Sequence, residues 1–276
     1  MKRRTRIVAI ILMTVWGYAL ATAATVDGIQ LHSSSYGSGP KTVILVHGWT
    51  CDETSWKEQI AALSKDYRVI TVDLPGHGKS GSPKDGIFSM ELFARAVEAV
   101  RDEAKANRVV LAGHSMGTPV IVQYARMSPE HTAGLVFVDG LVRIGTGAGP
   151  APNPQQFSGS EGRRAREAMI RGMFSPATTP EMQNHILAMM LGASEATAVG
   201  AMKATWAVSS PKNDVMNVPV LGIYADHSRL ADREFMKTTY PRLQYTEIPG
   251  TGHFLMMEKP DQFNRLALDF LKAQSW

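Results

Sequence analysis

Short apolar runs recur along the chain, and each stops at a residue that breaks regular structure. Val43-Ile44-Leu45-Val46 ends at His47-Gly48, and residues 68–72 (RVITV) end at Asp73-Leu74-Pro75-Gly76. Residues 108–112 (RVVLA) end at Gly113, residues 134–138 (GLVFV) at Asp139-Gly140, and residues 218–224 (VPVLGIY) at Ala225-Asp226. A further run, 243–248, alternates and stops at Pro249-Gly250. Short β-branched runs bounded in this way predict buried parallel strands. Amphipathic stretches lie between them, notably residues 90–106 and 261–273. The βαβα order predicts an α/β fold with a mostly parallel sheet and helices on both faces.

Two stretches break the alternation. Residues 26–39 read as one or two polar strands with a Gly-rich turn. Residues 141–217 hold no convincing strand, open with a Gly/Pro-rich loop over 145–154, and then look helical. We read 141–217 as a helical cap inserted into a core made of residues 24–140 and 218–276. The insertion carries seven of the 15 methionines, at 169, 173, 182, 189, 190, 202 and 216. Singly, each is expected to pack the cap on the core. A few would line a site below and give it adaptable apolar walls.

With 276 residues, the chain has the size of one large domain with an insertion. A single Cys excludes an internal disulfide framework and a cysteine-based zinc site. The formal charge of +4 suggests a nucleic-acid partner until its source is located. Lys2, Arg3, Arg4 and Arg6 precede an apolar run from Ile7 to Leu20, followed by Ala19-Leu20-Ala21-Thr22-Ala23-Ala24. This is the pattern of a secretory signal peptide over residues 1–23, cleaved after Ala21 or Ala23. The run of 14 residues is short against the ~20 that span a bilayer. The 29 basic residues less these four equal the 25 acidic ones. The mature chain is therefore expected to be neutral, periplasmic or secreted, and to lack a nucleic-acid partner and a stable membrane span.

The candidate chemistry centres on Gly113-His114-Ser115-Met116-Gly117. This G-x-S-x-G follows a predicted strand and opens a helical stretch, residues 118–127, with Pro119 in its first turn. A serine on such a turn stands out over the sheet edge, and the helix N-terminus favours developing negative charge. A serine hydroxyl needs a base. His253 follows the turn Pro249-Gly250-Thr251-Gly252 and precedes the last amphipathic helix. His47 and His77 sit beside glycines and read as loop residues. His114 is expected to point away from the pocket. His32, His131, His185 and His227 read as surface or packing residues.

Together HGW (47–49), DLPGHGKS (73–80), GHSMG (113–117) and PGTGHF (249–254) resemble the α/β-hydrolase fold superfamily, in its lipase- and esterase-like branch with a helical cap. The resemblance covers the mature chain outside the cap. It implies an eight-stranded sheet, a Ser–acid–His triad, no cofactor, and an oxyanion hole made by the backbone N–H groups of Trp49 and Met116. It also locates where the sequence departs from the pattern. The family usually carries its acid in a Gly-x-x-Asp loop after the seventh strand. Here that loop reads Ala225-Asp226-His227-Ser228, with Ser228 at the acid's place and Asp226 two residues early. Asp139, at the end of the preceding strand, is the other candidate, because some family members place the acid there. Either would fix the tautomer of His253 and stabilise its imidazolium. The loop position leans to Asp226.

The expected reaction is acyl transfer on a small to medium carboxylic ester. Ser115 attacks, and His253 moves the proton. A serine at the elbow argues against the epoxide hydrolase and dehalogenase branches, which use Asp there. Alternatives on the same triad are a lactonase, amidase or peptidase, acyltransferase, perhydrolase or C–C bond hydrolase. A ligand-binding protein of this fold with poor turnover is the competing class. Oligomeric state is left open. Trp49, Trp56 and Trp206 are candidates for the acyl pocket, Cys51 reads as a small core residue, and Asp73 as the organiser of its own turn. No metal-ligand or phosphate-loop spacing is present.

Overall fold

A computed structural model of the chain describes residues 20–21, 24–142, 152–207, 214–274 and 276. Residues 1–19 and 22–23 of the expected signal peptide lie outside these, as do residues 143–151 of the loop that opens the cap. In chain order the strands are β1 (Leu20–Ala21), β2 (Thr25–Val26), β3 (Ile29–Gln30), β4 (His32–Tyr36), β5 (Thr42–Val46), β6 (Arg68–Asp73), β7 (Val109–His114), β8 (Thr132–Val138), β9 (Val220–Ala225) and β10 (Leu243–Ile248). The α-helices are α1 (Lys57–Leu63), α2 (Met90–Glu103), α3 (Gly117–Met127), α4 (Gly159–Arg171), α5 (Pro180–Gly192), α6 (Glu195–Ala207), α7 (Arg233–Thr239), α8 (Leu255–Glu258) and α9 (Pro260–Ala273).

Among the described residues the main sheet has eight strands, in the order β1-β4-β6-β5-β7-β8-β9-β10. Seven have five to seven residues, and the eighth is the two-residue β1. The pairings from β6 through β10 are all parallel, while β4 and β1 are antiparallel at one edge. The fold is α/β, as the alternation predicts. β5 and β8 are buried along their whole length, which is why both read as unbroken apolar runs. β2 and β3 form a separate hairpin.

The flanking helices bury one stripe each. In α9, Phe263, Asn264, Ala267, Phe270 and Leu271 face inward at helical spacing, and Pro260 occupies the first turn, where its missing N–H costs nothing. Full burial of each large apolar side chain there stabilises the fold by about 1.5–3 kcal/mol. α2 packs on α3, and α1 and α8 on α9. α4, α5 and α6 lie in the chain between β8 and β9. They sit above the strand ends, where the loops that carry chemistry converge.

Candidate active site

The strand–turn–helix at 109–127 forces Ser115 into an unusual backbone conformation. Its φ is +53°, in the left-handed region that costs a non-glycine residue about 1–3 kcal/mol. The turn is held by Ser115 N–H donating to Val138 O (3.0 Å), and by Thr118 N–H and Leu141 N–H donating to Ser115 O (3.0 and 3.3 Å). The neighbouring glycines are there for space. A Cβ on Gly113 would lie 2.4 Å from Gly117 O, and one on Gly117 would lie 2.5 Å from Val46 O. One on Gly48 would come within 3.1 Å of the Ser115 Cβ, so the HGW loop rests directly on the serine turn.

Trp49 and Met116 follow at the two sides of that contact. Among the described residues, neither backbone N–H donates to an acceptor. Both residues line the same cavity as Ser115 and His253. The Trp49 indole donates to Ala198 O in α6 (2.8 Å), and its ring lies 5.1 Å from that of Phe157. His47 fastens the loop from below. Leu74 N–H donates to its Nε2 (3.0 Å) and its Nδ1–H donates to Gly48 O (2.8 Å), while burial lowers its pKa and keeps it neutral. His77 is equally buried, donates to Pro75 O (3.0 Å), and burial brings its pKa down to about 3.

The carboxylate brought to His253 belongs to Asp139. Its Oδ2 accepts from His253 Nδ1 at 2.6 Å, which places the ring proton on Nδ1 and leaves Nε2 free. Asp139 ends β8 with φ +39°, and its Oδ1 accepts from Ala225 N–H (3.0 Å). Burial alone would raise its pKa. Hydrogen bonds from His253, Ala225 N–H and Ser228 outweigh that and hold it below its ordinary value.

Asp226, the residue the loop position leans to, also lines this cavity but makes no hydrogen bond to His253. Its Oδ2 accepts from Gly250 N–H (3.4 Å), and its Oδ1 stands 3.4 Å from His227 Nε2. Its side chain is 34% exposed, against 4% for Asp139. The reason is the tight turn after β9. Ser228 N–H donates to Ala225 O (3.2 Å) and His227 takes φ +60°, so the turn directs Asp226 away from the histidine. Ser228, which stands where the family's acid usually stands, lies instead near Asp139 and helps to hold that carboxyl below its ordinary pKa.

His114 lies beneath His253, with ring centroids 4.7 Å apart, and its Nε2–H donates to His253 O (2.8 Å). Burial lowers its pKa to about 3, so it stays a neutral support. The cavity over Ser115 and His253 has a volume of about 520 Å³. The cap contributes Met169, Met173, Phe174, Met202 and Trp206 to its walls. Three of the seven cap methionines therefore line it. Met190 is buried in the core, and Met182 and Met189 pack at its margin. Trp56 does not reach the cavity. It is fully buried against His114 and Phe263. Cys51 is buried, and burial raises its thiol pKa far above the ordinary value.

Sequence spacing also overlooks a cluster outside this cavity. Ligand atoms of His32, Glu53 and Asp73 lie within 4.8 Å of one another. Their oxygens are already engaged. Glu53 Oε1 accepts from His32 Nε2 (2.8 Å) and Lys79 Nζ (3.1 Å), and Oε2 from the Thr71 hydroxyl (2.8 Å). Asp73 accepts from the N–H groups of Glu53 (2.7 Å) and Lys79 (2.8 Å), and so organises its own turn.

The profile of the alpha/beta hydrolase family matches residues 43–266. The chain belongs to the alpha/beta hydrolase family. It is an enzyme of the hydrolase type, and its relatives agree with the fold described above. This hydrolase is 27% identical over 279 residues to a 2-hydroxy-6-oxononadienedioate/2-hydroxy-6-oxononatrienedioate hydrolase of Burkholderia vietnamiensis, covering 89% of this chain and 93% of that one. It is 28% identical over 255 residues to a dihydrolipoyllysine-residue acetyltransferase component of the acetoin cleaving system of Cupriavidus necator, covering 88% of this chain and 67% of that longer protein. The structure of a thermophilic esterase from Thermogutta terrifontis superposes with a TM-score of 0.80 at 26% identity, covering 92% of this hydrolase and 98% of the esterase.

Proposed function

We propose that this hydrolase cleaves a small to medium carboxylic ester through an acyl-enzyme. Ser115 is the nucleophile, His253 the general base and then acid, and Asp139 the residue that orients the histidine. The observation that carries the reading is the 2.6 Å bond from His253 Nδ1–H to Asp139, made inside the cavity that Ser115 also lines. With Nδ1 donating, Nε2 can take the Ser115 proton as the hydroxyl oxygen attacks the substrate carbonyl. The unpartnered N–H groups of Trp49 and Met116 then receive the developing oxyanion, each worth about 3–4 kcal/mol of barrier. The imidazolium, stabilised by ionised Asp139, protonates the leaving alcohol. Water enters, loses its proton to His253 and releases the carboxylic acid. The cap's methionines and aromatic rings favour an apolar acyl or aromatic group.

A second reading is C–C bond hydrolysis on the same residues, supported by the likeness to the Burkholderia vietnamiensis enzyme over nearly its full length. Product analysis separates the two, since only ester cleavage releases an alcohol. The basic residues, apolar run and Ala-rich segment of the first 24 residues support export to the periplasm or beyond.

The test is a stopped-flow burst with p-nitrophenyl acetate, with Ser115→Ala in parallel. We expect a stoichiometric burst followed by steady turnover, with turnover falling at least about 10⁴-fold in the variant. A burst retained by Ser115→Ala would overturn the reading.

A further inference from the structure

One carboxylate outside the proposed triad joins the cap to the loop that carries His253. Glu258, at the end of α8, accepts from three donors. Its Oε2 takes Gly252 N–H at 2.5 Å. Its Oε1 takes the Ser175 hydroxyl at 3.0 Å and also the Thr178 hydroxyl. Ser175 and Thr178 belong to the segment linking α4 to α5, and that segment is internally closed. Ser175 N–H donates to Thr178 Oγ1 (2.8 Å), and Ala177 N–H donates to Ser175 Oγ (3.1 Å).

The same two loops also touch directly. His253 N–H donates to Met173 O (3.3 Å). A Cβ on Gly252 would lie 2.9 Å from the Ser175 Cβ and 3.0 Å from Met173 O, so glycine is what lets the loops close on each other. Met173 and Ser175 line the cavity that holds His253. The peptide before the histidine is thus fixed by Glu258 on one side and by the cap segment on the other.

We propose that Glu258 is a positioning residue. It holds the backbone of His253 at the reach needed for Nε2 to serve Ser115, and it sets one wall of the cavity in the same act. The proposal rests on the reading of Ser115 and His253 given above. Its physical basis is that a charged acceptor makes stronger bonds than a neutral one, and three donors converging on it leave the loop little freedom. A displacement of about 1 Å in a general base costs on the order of 100-fold in rate.

Glu258→Ala removes all three bonds and is expected to lower kcat for p-nitrophenyl acetate about 100-fold with KM changed less than about threefold. Glu258→Gln keeps an acceptor for Gly252 N–H and is expected to recover most of that loss. The double variant Ser175→Ala/Thr178→Val keeps the Gly252 bond but frees the cap segment. Its kcat is expected to stay within about threefold of the parent, while KM rises for longer acyl chains. Glu53→Gln serves as a control for lost stability alone, and it should keep the parental kcat. A Glu258→Ala enzyme with parental kcat overturns the proposal, as does a Glu53→Gln enzyme that loses kcat equally at an equal fall in Tm. If Glu258→Ala does not fold, the double variant decides, because a kcat loss of about 100-fold there, with the Gly252 bond kept, refutes the assignment. One readout is independent of ester turnover. The downfield Nδ1–H proton resonance of His253, bonded to Asp139, should shift or broaden in Glu258→Ala and stay near its parental position in Glu258→Gln. An unchanged resonance in Glu258→Ala refutes the positioning role even if the enzyme's true reaction is not ester cleavage.

Discussion

Asp139 and Asp226 differ in surroundings more than in chemistry. Asp139 is buried, receives donors on both oxygens, and sits on the histidine ring. Asp226 is a third exposed and bonds to the neighbouring Gly250 N–H. Removing the charge of a buried carboxylate against a catalytic histidine lets the ring adopt the wrong tautomer. Asp139→Asn is therefore expected to lower kcat by about 10³–10⁴-fold. Asp226→Asn should leave kcat within about threefold. Steady-state assays of the two variants side by side check this, and the reverse ranking would return the acid to Asp226. On the proposed reading, Ser115 carries backbone strain for function. Its φ of +53° lifts the side chain into the cavity, and the backbone bonds around it keep that conformation in place.

At the scale of elements, the glycines of the serine turn follow from strand-to-helix spacing. β7 passes so close to β5 and α3 that any side chain at 113 or 117 would meet a carbonyl oxygen. The turn at 53–56 is tied to β4 and β6 by a different device. Glu53 accepts from His32 of β4 and Thr71 of β6, as well as from Lys79. Burial alone would raise its pKa, but these bonds and one from Ser34 outweigh it and bring the value from 4.5 down to about 2. The sign follows from linkage. A folded-state pKa below the unfolded one contributes stability that is fully present above pH 4.5 and is lost as pH falls toward 2. Asp139 is shifted the same way and adds to this acid sensitivity. Glu53→Gln should lower Tm at neutral pH, by about 1–3 kcal/mol of stability, because His32, Lys79 and Thr71 lose a charged acceptor. The same variant should flatten the fall in Tm between pH 4.5 and 2. Thermal melts across that range check both, and a parallel acid curve in the variant would exclude Glu53 as a cause.

Over the whole molecule, the cap is fastened to the core at points that bear on chemistry. Ala198 O holds the indole of Trp49, Thr197 donates to Gly76 O (2.9 Å), and Met173 and Ser175 meet the histidine loop. These ties hold the cap against the loops around a cavity of about 520 Å³. The other end of the molecule meets the proposed export signal. β1 pairs Leu20 with Ser35 and Ala21 with Ser34 at the sheet edge. Cleavage after Ala21 or Ala23 takes this two-residue strand away and leaves β4 as the edge. The exported protein should then begin at Thr22 or Ala24. Intact mass and N-terminal sequencing of the secreted fraction check that start, and an uncleaved Met1 in exported material would refute it.

The sequence by itself determined what depends on local order. Apolar runs and breakers place six parallel strands within two residues of those observed, because five of them are buried on both faces and must be apolar nearly throughout, while β10 at the sheet edge is half-exposed and alternates. The glycine-flanked serine is legible for the same reason, since the spacing of a strand–turn–helix is written in adjacent residues. Tertiary structure decided what depends on residues far apart. It set Asp139, and not Asp226, on the His253 ring, with Asp226 held in the turn after β9, whose direction no spacing reveals. It took Trp56 into the core, set Ser228 beside Asp139, gathered His32, Glu53 and Asp73, and brought Ser175 to Glu258 across 83 residues of chain. Local propensity carries no information about such meetings. They are settled only when helices and strands pack and every buried polar group must find a partner.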